Sequence, residues 1–431
     1  MEYFDKLKIV GDNVKNVLVK GMVDTVFTVQ SSVRDVLPGN PLTREYEIIK
    51  EVGLAGPGNA WHIFSTVKKS TKEPGSMFLL EKRLWSKFNK HTKDELIELF
   101  RNGVQQLTRL KHPRLLAIQH QLEESRDSIA FITEPVSCSL ADCLRHSGGS
   151  HNFSDIEIRY GIMQICNALK FLHDDGKILH GNICPESILI SEQSGLWKLG
   201  CFEHFLQGTL HPGNTKPSFT RKEFNFNAAE YSNPNLNYMA MEYVDGSVSP
   251  SEFSDMFSVG SLIFTLYNNG NTLLSCNSTN LRDLRRSLKT IRTATRIKSD
   301  VPKIVKKAIE LLLSPDHSSR PNANNFLKST FFVDEMALKA LDYIDCLFQV
   351  DNLQRSMFYK SLLPLIPSLP SKIKLLRLMS AFELEFINCD IMPYVMPNIF
   401  VIANECNESE FDKYMLPKLK IVFRQTLNIQ V

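Results

Sequence analysis

Strand-like runs crowd into one part of this chain and helices fill the rest, and that segregation limits the folds open to it. Short runs rich in β-forming residues lie at Tyr46–Glu51, Ala60–Thr66 and Ser76–Leu80. A helical stretch, Lys93–Leu110, follows, and two more strand runs, Leu115–Gln119 and Ile129–Glu134, close the block. Residues 155–174 and 254–267 then read as long helices. Past Phe331 and Phe332 come successive helices: Asp334–Gln349, Leu353–Leu363, Lys372–Phe386, Asp390–Ala403 and Ser409–Phe423. Pro364, Pro367, Pro370, Pro393 and Pro397 punctuate or begin them. The class is α+β. With 431 residues the chain is too long for one compact domain.

Ordered motifs run through the central block. His180–Ser187 reads HGNICPES, Trp197–Phe205 reads WKLGCFEHF, and Ser254–Gly260 reads SDMFSVG. The frame His180, Ile183, Pro185 and Glu186 resembles the H-R-D-L-K-P-E-N catalytic loop of protein kinases. Trp197–Phe205 resembles the strand leading into D-F-G, and Tyr238–Glu242 resembles the A-P-E segment. The resemblance implies a bilobal protein-kinase-like domain, with Thr133 as gatekeeper and Glu134–Val136 as the hinge.

The reactive groups of that family are replaced. Asn182 stands where an aspartate accepts the proton of the attacking hydroxyl, and a neutral amide takes up no proton near pH 7. Cys184 stands at the loop lysine, and Ser187 at the magnesium-binding asparagine. Cys201 takes the place of the metal-binding aspartate, although hard cations select oxygen donors. Glu203 takes the glycine of D-F-G and is expected to be exposed or locally paired. Phe78 stands at the strand lysine, and Lys82, roughly 13 Å along the strand, is too far to replace it. Gly103 falls at the partner glutamate. The nucleotide loop keeps Gly53, Gly56 and Gly58, with Ala55 in the middle place; a register starting at Gly56 puts Trp61 in the third. Pro57 removes one N–H from a loop that works by presenting N–H groups to phosphate. No phosphotransfer, no magnesium and at most weak ATP binding are expected.

Structural positions survive. By resemblance, Asp255 binds the backbone of the loop beginning at His180, and Glu242 meets Arg320 in a buried pair. Phe253–Phe257 also fits F-x-D-x-F, a pattern read by adaptor appendage domains, but a folded helix cannot offer it as an extended peptide.

Charge is balanced, 50 basic against 47 acidic residues, so nothing global points to nucleic acid. The nine cysteines include no C-x-x-C pair and read as reduced thiols of a cytosolic protein. No apolar run is long enough to span a membrane. Residues 1–36 carry apolar side chains near helical spacing, which suits either an anionic membrane surface or packing on the next domain. The segment 281–298 sets Leu281, Leu284, Leu288 and Ile291 against seven cations, among them Arg285, Arg286, Lys289 and Arg292. Such a basic amphipathic helix either docks on acidic headgroups or an acidic partner, or is a solvated face. Cys201–Glu242 is by position an activation segment and is expected to be a mobile loop.

Expected boundaries are 1–42 for an N-terminal helical segment and linker, 43–332 for the kinase-like domain, and 333–431 for helical repeats. Paired helices at about forty-residue spacing suggest an α-helical solenoid of HEAT type, incomplete here or leaning on the kinase-like lobe.

A degraded kinase domain followed by such helices resembles the SCY1-like pseudokinase family. Asn40–Glu45, Gly103–Leu116, Leu122–Asp127, His180–Ile183 and Leu347–Gln354 carry the resemblance. It implies a catalytically inactive scaffold that works with the clathrin and adaptor machinery. The expected setting is cytoplasmic and peripheral, on coated vesicles, endosomes and the Golgi. The family's clathrin-binding tail is expected outside these residues. The alternative is a weak or unconventional ATP-binding serine/threonine kinase.

Overall fold

A computed structural model describes residues 40–146, 153–213, 216–220, 222–225, 227–244, 248–276, 281–289, 297–333 and 335–420. The amphipathic segment 1–36 lies outside them.

The first lobe is a five-stranded antiparallel sheet in the order β1-β2-β3-β5-β4. Its strands are β1 (Tyr46–Ala55), β2 (Trp61–Lys68), β3 (Pro74–Glu81), β4 (Ile118–Glu124) and β5 (Ser128–Thr133). β4 begins later than its apolar run suggested. Leu115 and Leu116 leave the sheet to fill the core, and Leu115 makes only an isolated bridge to Leu199. The helix Lys90–Arg109 crosses one face of the sheet. Asn89 caps it by accepting the Thr92 N–H, and it buries Leu96, Phe100, Val104 and Leu107.

The second lobe is helical. Asp155–Phe171 starts on a capping box between Ser154 and Glu157, and Glu252–Tyr267 is buried along almost its whole length. β6 (Val136–Ser139) precedes the first of these helices, and between the two lie β7 (Ile178–Leu179), β8 (Ile188–Ser191), β9 (Trp197–Leu199) and β10 (Leu206–Gln207). β10 pairs with β7, so the segment after Cys201 is no featureless loop. It also holds a short helix, Ala229–Ser232, whose Tyr231 ring packs on Trp85 and Phe88. Burial of apolar rings fixes a segment whose Asn, Pro and Ser content reads as loop.

The C-terminal region is helical: Met336–Cys346, Asn352–Leu362, Ile373–Glu385, Met392–Glu405 and the stretch from Glu408. Pro393 begins its helix, but Pro397 sits inside it. These helices lean on the kinase-like lobe. Asp345 binds the guanidinium groups of both Arg114 and Arg377, and Arg377 Nε donates to the Tyr160 hydroxyl at 3.0 Å.

Candidate functional site

The glycine-bearing turn between β1 and β2 covers the cleft between the lobes, and its glycines serve the protein itself. Gly56 adopts φ +74°, and its N–H donates to the Glu186 carbonyl at 2.9 Å. A Cβ there would stand 2.6 Å from Trp61 Cδ1. A Cβ on Gly53 would stand 2.1 Å from Asp142 Oδ2, the oxygen that accepts the Leu54 N–H. Gly58, at φ +58°, lies against the Tyr231 ring. The loop is fastened to the 180–187 turn rather than opened toward a phosphate.

Aromatic rings fill the space beneath it. The Trp61 indole stands edge-on to Phe78, Phe100 and Phe131, with centroids 6.5, 5.5 and 5.0 Å away. Phe78 stacks on Phe131 at 5.0 Å, its cross-strand partner. All four are buried. The strand lysine is thus replaced by part of a hydrophobic plug.

Glu203 closes the plug from below. It is neither exposed nor locally paired: 2 % of it is exposed, and its Oε1 accepts the Trp61 indole N–H at 2.7 Å across 142 residues of sequence. Burial pushes its carboxyl up to about 7, and the indole donor only partly opposes that shift. Its second oxygen finds no partner among the described residues. Gly103 faces the same place from the helix Lys90–Arg109. A Cβ there would lie 2.8 Å from Glu203 N and 3.1 Å from the Phe202 carbonyl carbon, so helix and chain meet backbone to backbone. Lys82 is turned away, with Nζ 2.6 Å from Glu124.

The 180–187 turn is held by its own side chains. Asn182 Oδ1 accepts the Asn235 N–H at 2.9 Å. Ser187 Oγ donates to the Cys184 carbonyl at 2.9 Å and accepts the Cys184 N–H at 3.2 Å. His180 Nε2 lies 2.9 Å from the Gly200 carbonyl, and Nδ1 accepts the Asn182 N–H. That pattern requires the neutral ring, and burial lowers the His180 pKa despite Asp255 nearby. Asp255 accepts the N–H groups of His180 and Gly181 at 2.9 and 3.0 Å and meets His173 Nε2 at 3.0 Å. Burial works to raise the Asp255 pKa, but His173, His180 and the Gly181 amide outweigh it, so the carboxylate stays charged.

These groups fit a magnesium nucleotide poorly. Burial, reinforced by neighbouring carboxylates, raises the Cys201 and Cys184 thiols well above their ordinary range, so both are neutral. Cys201 is also held at φ +58°, with Sγ 3.7 Å from the Glu186 carbonyl. Among the described residues, no group of three or more His, Cys, Asp or Glu could hold a metal. At the hinge, Val136 N–H already donates to Ser76 Oγ at 2.9 Å, and Glu134 Oε1 binds Ala117 N–H and Lys198. A cavity of about 270 Å³ remains outside the plug, lined by Gly56, Asn182, Glu186, Glu230 and Asn235 among others, with no cationic side chain for a phosphate among the described residues that line it.

The structural and surface positions lie elsewhere. Glu242 and Arg320 pair through two hydrogen bonds of 3.0 and 3.1 Å, both side chains buried. Ser254 Oγ donates to Glu242, and the Arg320 guanidinium sits 4.9 Å from the Phe257 ring centroid. The basic helix is described over Leu281–Lys289 and does not reach Lys298, since 297–300 are bend, irregular chain and turn. Leu284 and Leu288 are buried, and Arg285 and Arg286 are exposed at the surface. Arg285 turns back to donate to the Val244 carbonyl at 2.7 Å, so that cation is partly used in holding the lobe. Arg292 lies outside the described residues.

Two functional side chains escaped sequence reasoning. Asp142, which fastens the glycine loop, carried no motif. Asn235 bridges Asn182 and Glu186 from a segment that read as loop. Trp61 was visible as an aromatic at a glycine place and Glu203 as a carboxylate at another, but their pairing was not.

Residues 53–332 match the protein kinase domain family. The chain is similar to human SCY1-like protein 2, 38 % identical over 96 % of this chain and 45 % of the relative. The mouse protein of the same name is 37 % identical over the same shares. The Saccharomyces cerevisiae protein kinase-like protein SCY1 is 28 % identical over 83 % of this chain and 49 % of its own length. The chain therefore spans about half the length of these curated relatives. A sheet lobe, a helical lobe and a helical C-terminal region in that order, with these matches, place the chain in the protein kinase domain family and in its SCY1-like branch.

Proposed function

We propose that this chain is a pseudokinase scaffold: a kinase-like platform that binds proteins and transfers no phosphate. The observation that carries the reading is the Trp61 indole, buried among Phe78, Phe100 and Phe131 and anchored to Glu203. Phosphoryl transfer works by positioning and charge stabilisation. It needs a cation on the phosphates, a metal held by oxygen ligands and a base for the hydroxyl. Phe78, Cys201 and Asn182 supply none of these.

The setting we propose is clathrin-dependent traffic between the trans-Golgi network, endosomes and the plasma membrane, with proteins of the clathrin and adaptor machinery as partners. Membership of the SCY1-like branch supports it. So does the Leu281–Lys289 helix, whose Leu284 and Leu288 are buried in the lobe while Arg286 is exposed as a peripheral contact for an anionic membrane. No helix among the described residues is long and apolar enough to cross a membrane.

The test is thermal stability with ATP or ADP, with and without magnesium, beside a kinase assay on generic substrates. No nucleotide shift and no labelled product are expected. A large, magnesium-enhanced stabilisation would overturn the reading and favour a weak ATP-binding kinase. Affinity purification of the chain with mass spectrometry tests the partners: coat and adaptor proteins are expected, and their absence removes the trafficking assignment.

A further inference from the structure

Two of the nine cysteines lie sulfur to sulfur, away from the filled cleft. Cys138 belongs to β6, just after the hinge, and Cys143 to the helix Leu140–His146 that follows directly. The strand-to-helix bend brings their Sγ atoms to 3.1 Å, and both residues are half-buried. A disulfide is about 2.05 Å long, so closing this pair asks for roughly 1 Å of side-chain movement. A shared metal fits less well. Tetrahedral zinc, about 2.3 Å from each thiolate, would spread the sulfurs to roughly 3.8 Å and need two further ligands. No metal-holding group is found among the described residues.

The surroundings give the pair a consequence. Asp142, one residue before Cys143, accepts the Leu54 N–H at 3.0 Å and the Ser139 hydroxyl at 2.8 Å. The same carboxylate therefore fastens the glycine loop and the strand that carries Cys138. Lys372 of the C-terminal helical region is the cation acting on Cys143, and Asp142 is the anion. The S–H shared with Cys138, and then burial, keep Cys143 protonated, so Cys138 is the sulfur that meets an oxidant first and Cys143 the one that resolves it.

We propose that Cys138 and Cys143 are an oxidation site: a peroxide converts them to an intramolecular disulfide that ties the strand after the hinge to the next helix. One sulfur attacks a peroxide oxygen, becoming a sulfenic acid and releasing water. The second sulfur displaces that hydroxyl, forming the S–S bond and releasing a second water. The peroxide takes the two electrons, and both thiol protons leave in water. A dithiol reductant reverses the change.

The experiment uses the full chain and graded hydrogen peroxide, followed by alkylation and non-reducing peptide mass spectrometry. The exposed Cys346 and Cys389 serve as internal references for oxidant dose. A cross-linked peptide joining Cys138 to Cys143 is expected at doses that leave both references alkylatable. Alkylatable thiols in the denatured protein fall from nine to seven, and dithiothreitol restores nine. Cys143→Ser should abolish the cross-link and leave a dimedone-reactive sulfenic acid on Cys138. If Cys346 and Cys389 oxidise while Cys138 and Cys143 still alkylate, the proposal fails. It fails equally if both sulfurs go to sulfinic acid with no cross-link.

Discussion

Gly103→Ala separates two physical effects that normally point the same way. On an open helix surface the change stabilises, because alanine is favoured over glycine by about 1 kcal/mol in a helix interior. Gly103 lies inside the helix Lys90–Arg109, so the gain applies in full. Against it stands the contact with the chain at Phe202 and Glu203. The new Cβ would lie 2.8 Å from Glu203 N, 3.0 Å from its Cα and 3.1 Å from the Phe202 carbonyl carbon. All three are backbone atoms, which cannot rotate away as a side chain can. Overpacking of this kind costs about 1–3 kcal/mol. The upper part of that range applies, and the net expectation is a loss of about 1–2 kcal/mol. The shift should also loosen the Trp61–Glu203 bond, since Glu203 must move with its backbone. The assay is urea unfolding of wild type and variant, with indole fluorescence as a second readout. A raised midpoint, as on a free helix, would refute the close approach and with it the plugged cleft.

Arg320→Ala strands the Glu242 carboxylate in the core and should cost about 3–5 kcal/mol; an unchanged denaturation midpoint would show that the pair does not hold the helical lobe. Glu203 gives a pH signature. Its carboxyl titrates near 7 in the folded chain against 4.5 ordinarily, so the folded state binds the proton more tightly. The added stability, about 3 kcal/mol at 1.36 kcal/mol per unit, is complete below pH 4.5 and lost as pH rises through about 7. Glu203→Gln keeps an acceptor for Trp61 and should flatten that part of the stability profile; identical slopes for both proteins would count against a buried carboxyl. Changing Arg285, Arg286, Lys289 and Arg292 to glutamate should weaken salt-sensitive binding to phosphatidylserine vesicles, each cation near the surface contributing about 1 kcal/mol. Equal co-sedimentation of both proteins would leave the helix as a solvated face.

The sequence by itself determined the order of the lobes and the loss of the reactive groups. Strand runs, helical runs and short motifs are local, and a missing aspartate at Asn182 or a missing lysine at Phe78 is legible without coordinates. The same holds for Glu242 and Arg320, because a motif that requires a partner announces both ends. Local pattern failed where tertiary contacts decide. Glu203 read as exposed or locally paired because carboxylates usually are, yet an indole 142 residues away makes its burial tolerable. Gly103 read as a lost glutamate, whereas the structure gives it a steric reason, the backbone of residue 203 pressed against it. The segment after Cys201 read as loop, and pairing with β7 and the packing of Tyr231 order it. Cys138 and Cys143 form no recognisable spacing, and only the bend from strand to helix brings their sulfurs together. Composition and spacing record what each residue is able to do; which of those capacities is used depends on neighbours far away in the chain, because burial and hydrogen bonding are properties of the folded surroundings.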